Sequence, residues 1–132
     1  MFQSKITTAL LSTALMVGLS GTVVADDYLD SAAIRDLVTG NSLSGDYDGS
    51  PFKQNFHADG HVVVFIAGDK VYDVNWIANE RDEYCEYWGD EWGWSCFKFK
   101  QPVDGKLTAV KVADDKAVYT WNLSSGFIDI NP

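Results

Sequence analysis

The sequence predicts a mainly β domain: one short N-terminal helix, then about seven or eight antiparallel strands rolled into a small barrel or strongly bent sheet. Three observations lead there. Only one stretch repeats its apolar residues at helical spacing. The remainder is a series of short alternating or β-branched runs, cut at near-regular intervals by turns rich in Gly and Asp. The composition, 46% hydrophobic and 14% aromatic, supplies a core and excludes a disordered chain.

The chain has 132 residues. Residues 1–25 read as a removable signal peptide. Lys5 and the amino terminus give a basic start, Ala9 to Leu19 an apolar stretch, and Val23-Val24-Ala25 a small-residue cleavage site. The apolar stretch falls short of the ~20 residues that span a bilayer, so no membrane span is expected. Residues 26–132 then form a single β-rich domain, periplasmic or secreted. That length is too small for a two-lobed dinucleotide enzyme, a kinase or a β/α barrel. A formal charge of −9 makes nucleic acid a poor partner.

The helix is expected over Asp30 to Gly40. Asp30 or Ser31 caps its start, Gly40 takes the left-handed stop, and Ile34, Leu37 and Val38 share one face. Phe52, Gln54 and Phe56 alternate with Lys53 and Asn55, as a half-buried strand should. Ala58-Asp59-Gly60 turns the chain into His61–Ile66, a β-branched run suited to a central strand. After Ala67-Gly68-Asp69, the run Lys70 to Trp76 puts Tyr72, Val74 and Trp76 on one face. Two strands near Arg81–Trp88 and Trp94–Lys100 carry the cysteines. Pro102 to Lys106 is a loop with an Asp-Gly signal. Leu107–Val112 and Ala117–Asn122 pair next, and Phe127–Ile130 closes the sheet. Rolling such a sheet hides its edges, which makes the architecture lipocalin-like in outline.

The two cysteines, Cys85 and Cys96, are expected to form a disulfide in an oxidising compartment. Their spacing lacks the Cys-x-x-Cys of a redox pair, and the further ligands of a zinc site are missing nearby. If they face each other across a hairpin, Tyr84 opposes Phe97, Tyr87 opposes Trp94 and Glu83 opposes Lys98. The tip, Gly89-Asp90-Glu91-Trp92-Gly93, is acidic and carries an indole. Two readings stand here. In one, the acids are a solvated face and the aromatics are packing; in the other, Trp88, Asp90, Glu91, Trp92 and Trp94 form a recognition patch.

Other constellations are weaker. His57-Ala58-Asp59-Gly60-His61 offers His57, Asp59 and His61 as metal ligands, but the same letters spell strand, turn, strand. Asp46-Tyr47-Asp48-Gly49-Ser50 resembles the start of a calcium loop, yet Asn55 stands where a bidentate Glu is needed. Gly-x-Ser-x-Gly, His-Glu-x-x-His and phosphate-cradling glycine loops are absent from the sequence. No catalytic residues and no cofactor are therefore expected.

The order of several short motifs is similar to a known group. Leu37-Val38-Thr39-Gly40-Asn41-Ser42-Leu43-Ser44-Gly45 follows the helix, and Phe56-His57-Ala58-Asp59-Gly60 matches an aromatic-x-x-Asp-Gly hairpin. Trp76, Cys85-Glu86-Tyr87-Trp88 and Cys96 come in sequence, and Asn131-Pro132 ends the chain. This resembles small exported alphaproteobacterial proteins carrying domain of unknown function 995. The resemblance implies a periplasmic β domain and brings no catalytic residues. The expectation is a non-catalytic, monomeric exported binding or accessory module. Its partner would be a protein, an envelope component or a small apolar ligand. The alternative is a periplasmic protease-type inhibitor, with a hydrolase or a metal-binding protein in third place.

Overall fold

Successive side chains along each strand point to the two faces of one closed sheet. The computed structural model describes residues 28–68 and 70–130; the expected signal peptide with its cleavage point, turn residue Asp69 and the Asn131-Pro132 ending lie outside them. Helix α1 (Ser31–Val38) is followed by β1 (Ser42–Tyr47), β2 (Ser50–Phe56), β3 (His61–Ile66) and β4 (Val71–Ala78). Then come β5 (Tyr84–Tyr87), β6 (Trp94–Phe99), β7 (Lys106–Lys111) and β8 (Val118–Ser124). Each strand pairs antiparallel with the next, and β8 returns to β1. The sheet is thus a closed eight-stranded barrel.

The closing strand is not the expected one. Phe127–Ile130 is no strand, and the polar, glycine-containing segment Ser42–Tyr47 does the closing. Ser42 pairs with Ser124, Leu43 with Leu123 and Ser44 with Asn122. Its apolar signal is thin because one inward position is Gly45. That glycine is required: a Cβ there would stand 2.8 Å from Cδ1 of Trp121, which is buried on the neighbouring strand. The segment Asp46–Ser50 is a tight hairpin turn, with Asp48 and Gly49 both at positive φ and the Asp46 carboxylate accepting from Gly49 N–H. The backbone of the C-terminal segment is held by side chains instead of a ladder. Asn55 donates to the Ile128 carbonyl at 2.9 Å and accepts from its N–H at 3.0 Å, and Asn41 accepts from Gly126 N–H. The strand around Arg81 also starts later than expected, since Asp82 sits at φ 61 in a turn.

One end of the barrel is filled. Eight residues of helix are too few to persist alone, so α1 depends on its docking. Asp30 caps it through Ala33 N–H, Asp82 accepts from Ser31 N–H, and Arg35 donates to the Ala78 carbonyl. This fixes Ile34 and Val38, both fully buried, against the inward residues Leu43, Phe56, Val62, Trp76, Tyr84, Phe99 and Leu107. Phe56 meets Trp76 and Tyr84 edge to face, and Tyr84 stacks on Phe99. The other end carries the β1–β2, β3–β4, β5–β6 and β7–β8 turns.

Gly45→Ala tests the closure. The added methyl must push Trp121 out of a packed position, which should cost about 1–3 kcal/mol in urea unfolding; a neutral result would mean that the seam between β1 and β8 is loose.

Candidate functional site

The disulfide decides which side chains enter the barrel. Cys85 and Cys96 are bonded across β5 and β6 with Cα atoms 4.0 Å apart, in register with Tyr84 opposite Phe97 and Tyr87 opposite Trp94. The expected cysteine and aromatic pairings across the hairpin are therefore present, whereas Glu83 and Lys98 form no ion pair and take other partners. Cys85 and Tyr87 face outward, so Tyr84, Glu86 and Trp88 share the inner face. Glu83 engages Asn79 and Arg81, while Lys98 donates to the Arg81 carbonyl.

Above the filled end, the lumen opens into a cavity of about 750 Å³. Its walls come from every strand: Tyr47, Phe52, Gln54, Val64, Ile66, Tyr72, Val74, Glu86, Trp88, Phe97, Lys111 and Trp121 among them. Trp92 and Trp94 reach the mouth from the hairpin tip. The lining is mainly apolar and aromatic with a few convergent polar groups, as small-molecule sites are.

The polar groups are concentrated at one point. Glu86 is only 6% exposed. Its Oε2 accepts from Tyr84 Oη at 2.5 Å and from Gln54 Nε2 at 2.9 Å, and its Oε1 accepts from Trp88 Nε1 at 3.0 Å. Burial pushes the Glu86 carboxyl above its usual range, and the donors Tyr84, Gln54 and Trp88 pull it only part of the way back. Burial, reinforced by the neighbouring carboxylate, holds the Tyr84 phenol well above its ordinary value. At the mouth, Lys111 donates to Tyr47 Oη at 2.6 Å and lies over the Tyr47 ring; that hydrogen bond holds its ammonium above the usual lysine range.

Of the expected recognition residues, Trp88, Trp92 and Trp94 border the cavity, while Asp90 and Glu91 lie outside its lining. Trp88 points into the lumen, where it packs edge to face on Tyr72 and binds Glu86. Trp94, at the mouth, lies against Tyr87. Asp90 accepts from the Tyr87 hydroxyl, Glu91 is exposed, and Trp92 is 78% exposed at the rim. The acids of this hairpin are likewise not one solvated face, since Glu83 and Glu86 are both buried.

His57, Asp59 and His61 touch in pairs, with the imidazoles stacked at 4.2 Å and His61 Nδ1 2.5 Å from the Asp59 carboxylate, but they are not among the described residues whose ligand atoms converge within 4.8 Å. They sit in the turn joining β2 to β3, at the filled end and away from the cavity mouth. Glu83, Cys85 and Cys96 bring ligand-type atoms within 4.8 Å of one another, but both sulfurs are spent in the disulfide.

Glu86 is the residue that sequence reasoning passed over. The signal was available: Tyr84, Glu86 and Trp88 alternate with Cys85 and Tyr87, and an outward disulfide turns the acid inward.

Two outcomes follow from this geometry. Trp92→Ala should leave unfolding free energy within about 0.5 kcal/mol, as for an exposed side chain. Trp88→Ala should cost about 2–4 kcal/mol, because it removes packing and a donor to a buried acid. The second outcome concerns pH. A carboxyl whose folded pKa is raised adds stability that is complete below its unfolded value and is lost as pH rises through the folded one. The stability of the wild type relative to Glu86→Gln should therefore fall as pH increases from about 4.3, measured by urea unfolding across that range. A rise would mean that Glu86 is held ionised.

No helix among the described residues is long and apolar enough to cross a membrane. No protein-family model, no curated protein and no solved structure matches this chain.

Proposed function

We propose that this protein is a non-catalytic, exported binding module that holds a small, mainly apolar ligand inside its barrel. The observation that carries this reading is the cavity of about 750 Å³, walled by aromatic and aliphatic side chains and open at one end. That volume lies within the roughly 300–1,000 Å³ typical of small-molecule sites. Eight-stranded barrels are the size at which side chains either fill the interior or leave room for one ligand. Here the division runs across the barrel, with aromatic packing below and space above.

Pre-formed walls favour binding because little order has to be gained when the ligand enters. The aromatic rings are fixed by one another: Trp121 meets Phe52 and Phe97 edge to face, and Tyr72 meets Trp88. The disulfide holds the hairpin that supplies Trp88 and the rim residues Trp92 and Trp94.

A second reading, recognition of a basic protein by the hairpin tip, draws on Trp92 with the exposed Asp90 and Glu91. It competes poorly, because Trp88 and the buried Glu86 of the same hairpin are turned inward.

Titration with a neutral naphthylamine dye tests the carrier reading. Its fluorescence should rise saturably with one site per chain. Val74→Trp, which fills the lumen from a wall position, should abolish that signal while leaving the melting temperature within a few degrees. Unaltered dye binding in Val74→Trp would place the dye elsewhere and overturn the reading.

A further inference from the structure

A buried acid at the base of an aromatic cavity narrows the ligand class. Three donors from three side chains converge on Glu86, which offsets part of the cost of taking a carboxyl group out of water. The donors are neutral, so a charge formed on Glu86 would not be cancelled by them. Among the described residues the ion pairs involve His61 with Asp59 and Arg81 with Glu83, and neither includes Glu86. Its Oε1 receives only the Trp88 indole, so an acceptor site remains on an oxygen that belongs to the cavity lining. Trp88 stands beside it, and the same cavity is lined by the rings of Tyr72, Phe97 and Trp121, whose faces attract cations.

We infer that the lumen is built for a ligand bearing a protonated amine on a compact apolar or aromatic body, with the ammonium set against Glu86. This rests on the carrier reading above and adds the charge of the ligand. The rival cue is Lys111, which would suit an anion. Lys111 stands at the mouth, is committed to Tyr47, and has Asp48 and Asp114 as its acidic neighbours. Lys111 thus has carboxylates in its surroundings, whereas no cationic side chain is paired with Glu86 at the base.

Binding then carries a proton balance. In the empty cavity burial favours the neutral carboxyl. An entering R–NH₃⁺ keeps its three protons, and Glu86 gives its own to solvent as the ion pair forms. The other titratable groups lining the lumen are Tyr47, Tyr72, Tyr84 and Lys111.

The experiment is a calorimetric titration of the disulfide-intact protein with three probes of matched shape: naphthylethylamine, naphthylethanol and naphthylacetate. The amine should bind about tenfold or more tighter than the alcohol, the scale of one desolvated cation–aromatic or charge-paired contact. The acetate should be weakest. In Glu86→Gln the amine should drop to the level of the alcohol, with alcohol binding retained. Should that variant fail to fold, the wild type still decides. Repeating the amine titration just above pH 4.3, in two buffers of different ionisation enthalpy, should show net proton release, and naphthylethanol should show none. Equal affinity for amine and alcohol, tighter binding of the acetate, or amine binding without proton release overturns the inference and leaves the carrier reading standing. If none of the three binds, the inference falls, and the dye titration shows whether the carrier reading falls with it.

Discussion

Pairing of β8 with β1 is the constraint on which everything else rests. Three residue pairs, Ser42 with Ser124, Leu43 with Leu123 and Ser44 with Asn122, turn an eight-stranded ribbon into a ring. Without them two strands would expose unpaired backbone groups and invite association with other chains. With them every second side chain is committed to an interior that has no other exit than the two ends. The inward set then determines whether the barrel is solid or hollow.

It is both. At the helix end, Ile34 and Val38 complete a packed layer with Phe56, Trp76, Tyr84 and Phe99. Toward the other end the inward positions include Val64, Val74 and Ser95, which are too small to meet across the lumen, and the aromatics there line walls instead of filling the centre. Glu86 stands at the boundary between the two halves. Burying an acid is costly, and the molecule offsets that cost with three aimed donors instead of replacing the acid by an apolar residue. These polar groups, fixed in an apolar cavity, are what the proposed ligand site draws on.

The hairpin of β5 and β6 links the two faces of the barrel. Outside, its disulfide and the Tyr87–Trp94 pair fix the register; inside, that register delivers Tyr84, Glu86 and Trp88 to the lumen. A slip of one residue would exchange these sets and put an acid on the surface and a disulfide in the cavity. The covalent bond on the outer face thus guards the chemistry of the inner one.

By itself the sequence determined the elements whose signals are local. The caps at Asp30 and Gly40 mark the helix, a β-branched apolar run marks His61–Ile66, Asp-Gly turns mark the hairpins, and two cysteines define a cross-strand register. Only the tertiary structure decided which strand closes the ring. The need for Gly45 arises from Trp121, a residue far away in the chain, and a strand that yields its side chain to a distant indole looks locally like a turn. The same holds for the site. Composition placed acids and aromatics around Glu80–Trp94, but whether each meets water or the lumen depends on a pleat fixed by pairing partners. Glu86 and Glu91 are the same residue type five positions apart. One is buried among three donors and the other is exposed at the tip; the turn alone accounts for Glu91, whereas the place of Glu86 follows from strand pairing in the closed barrel.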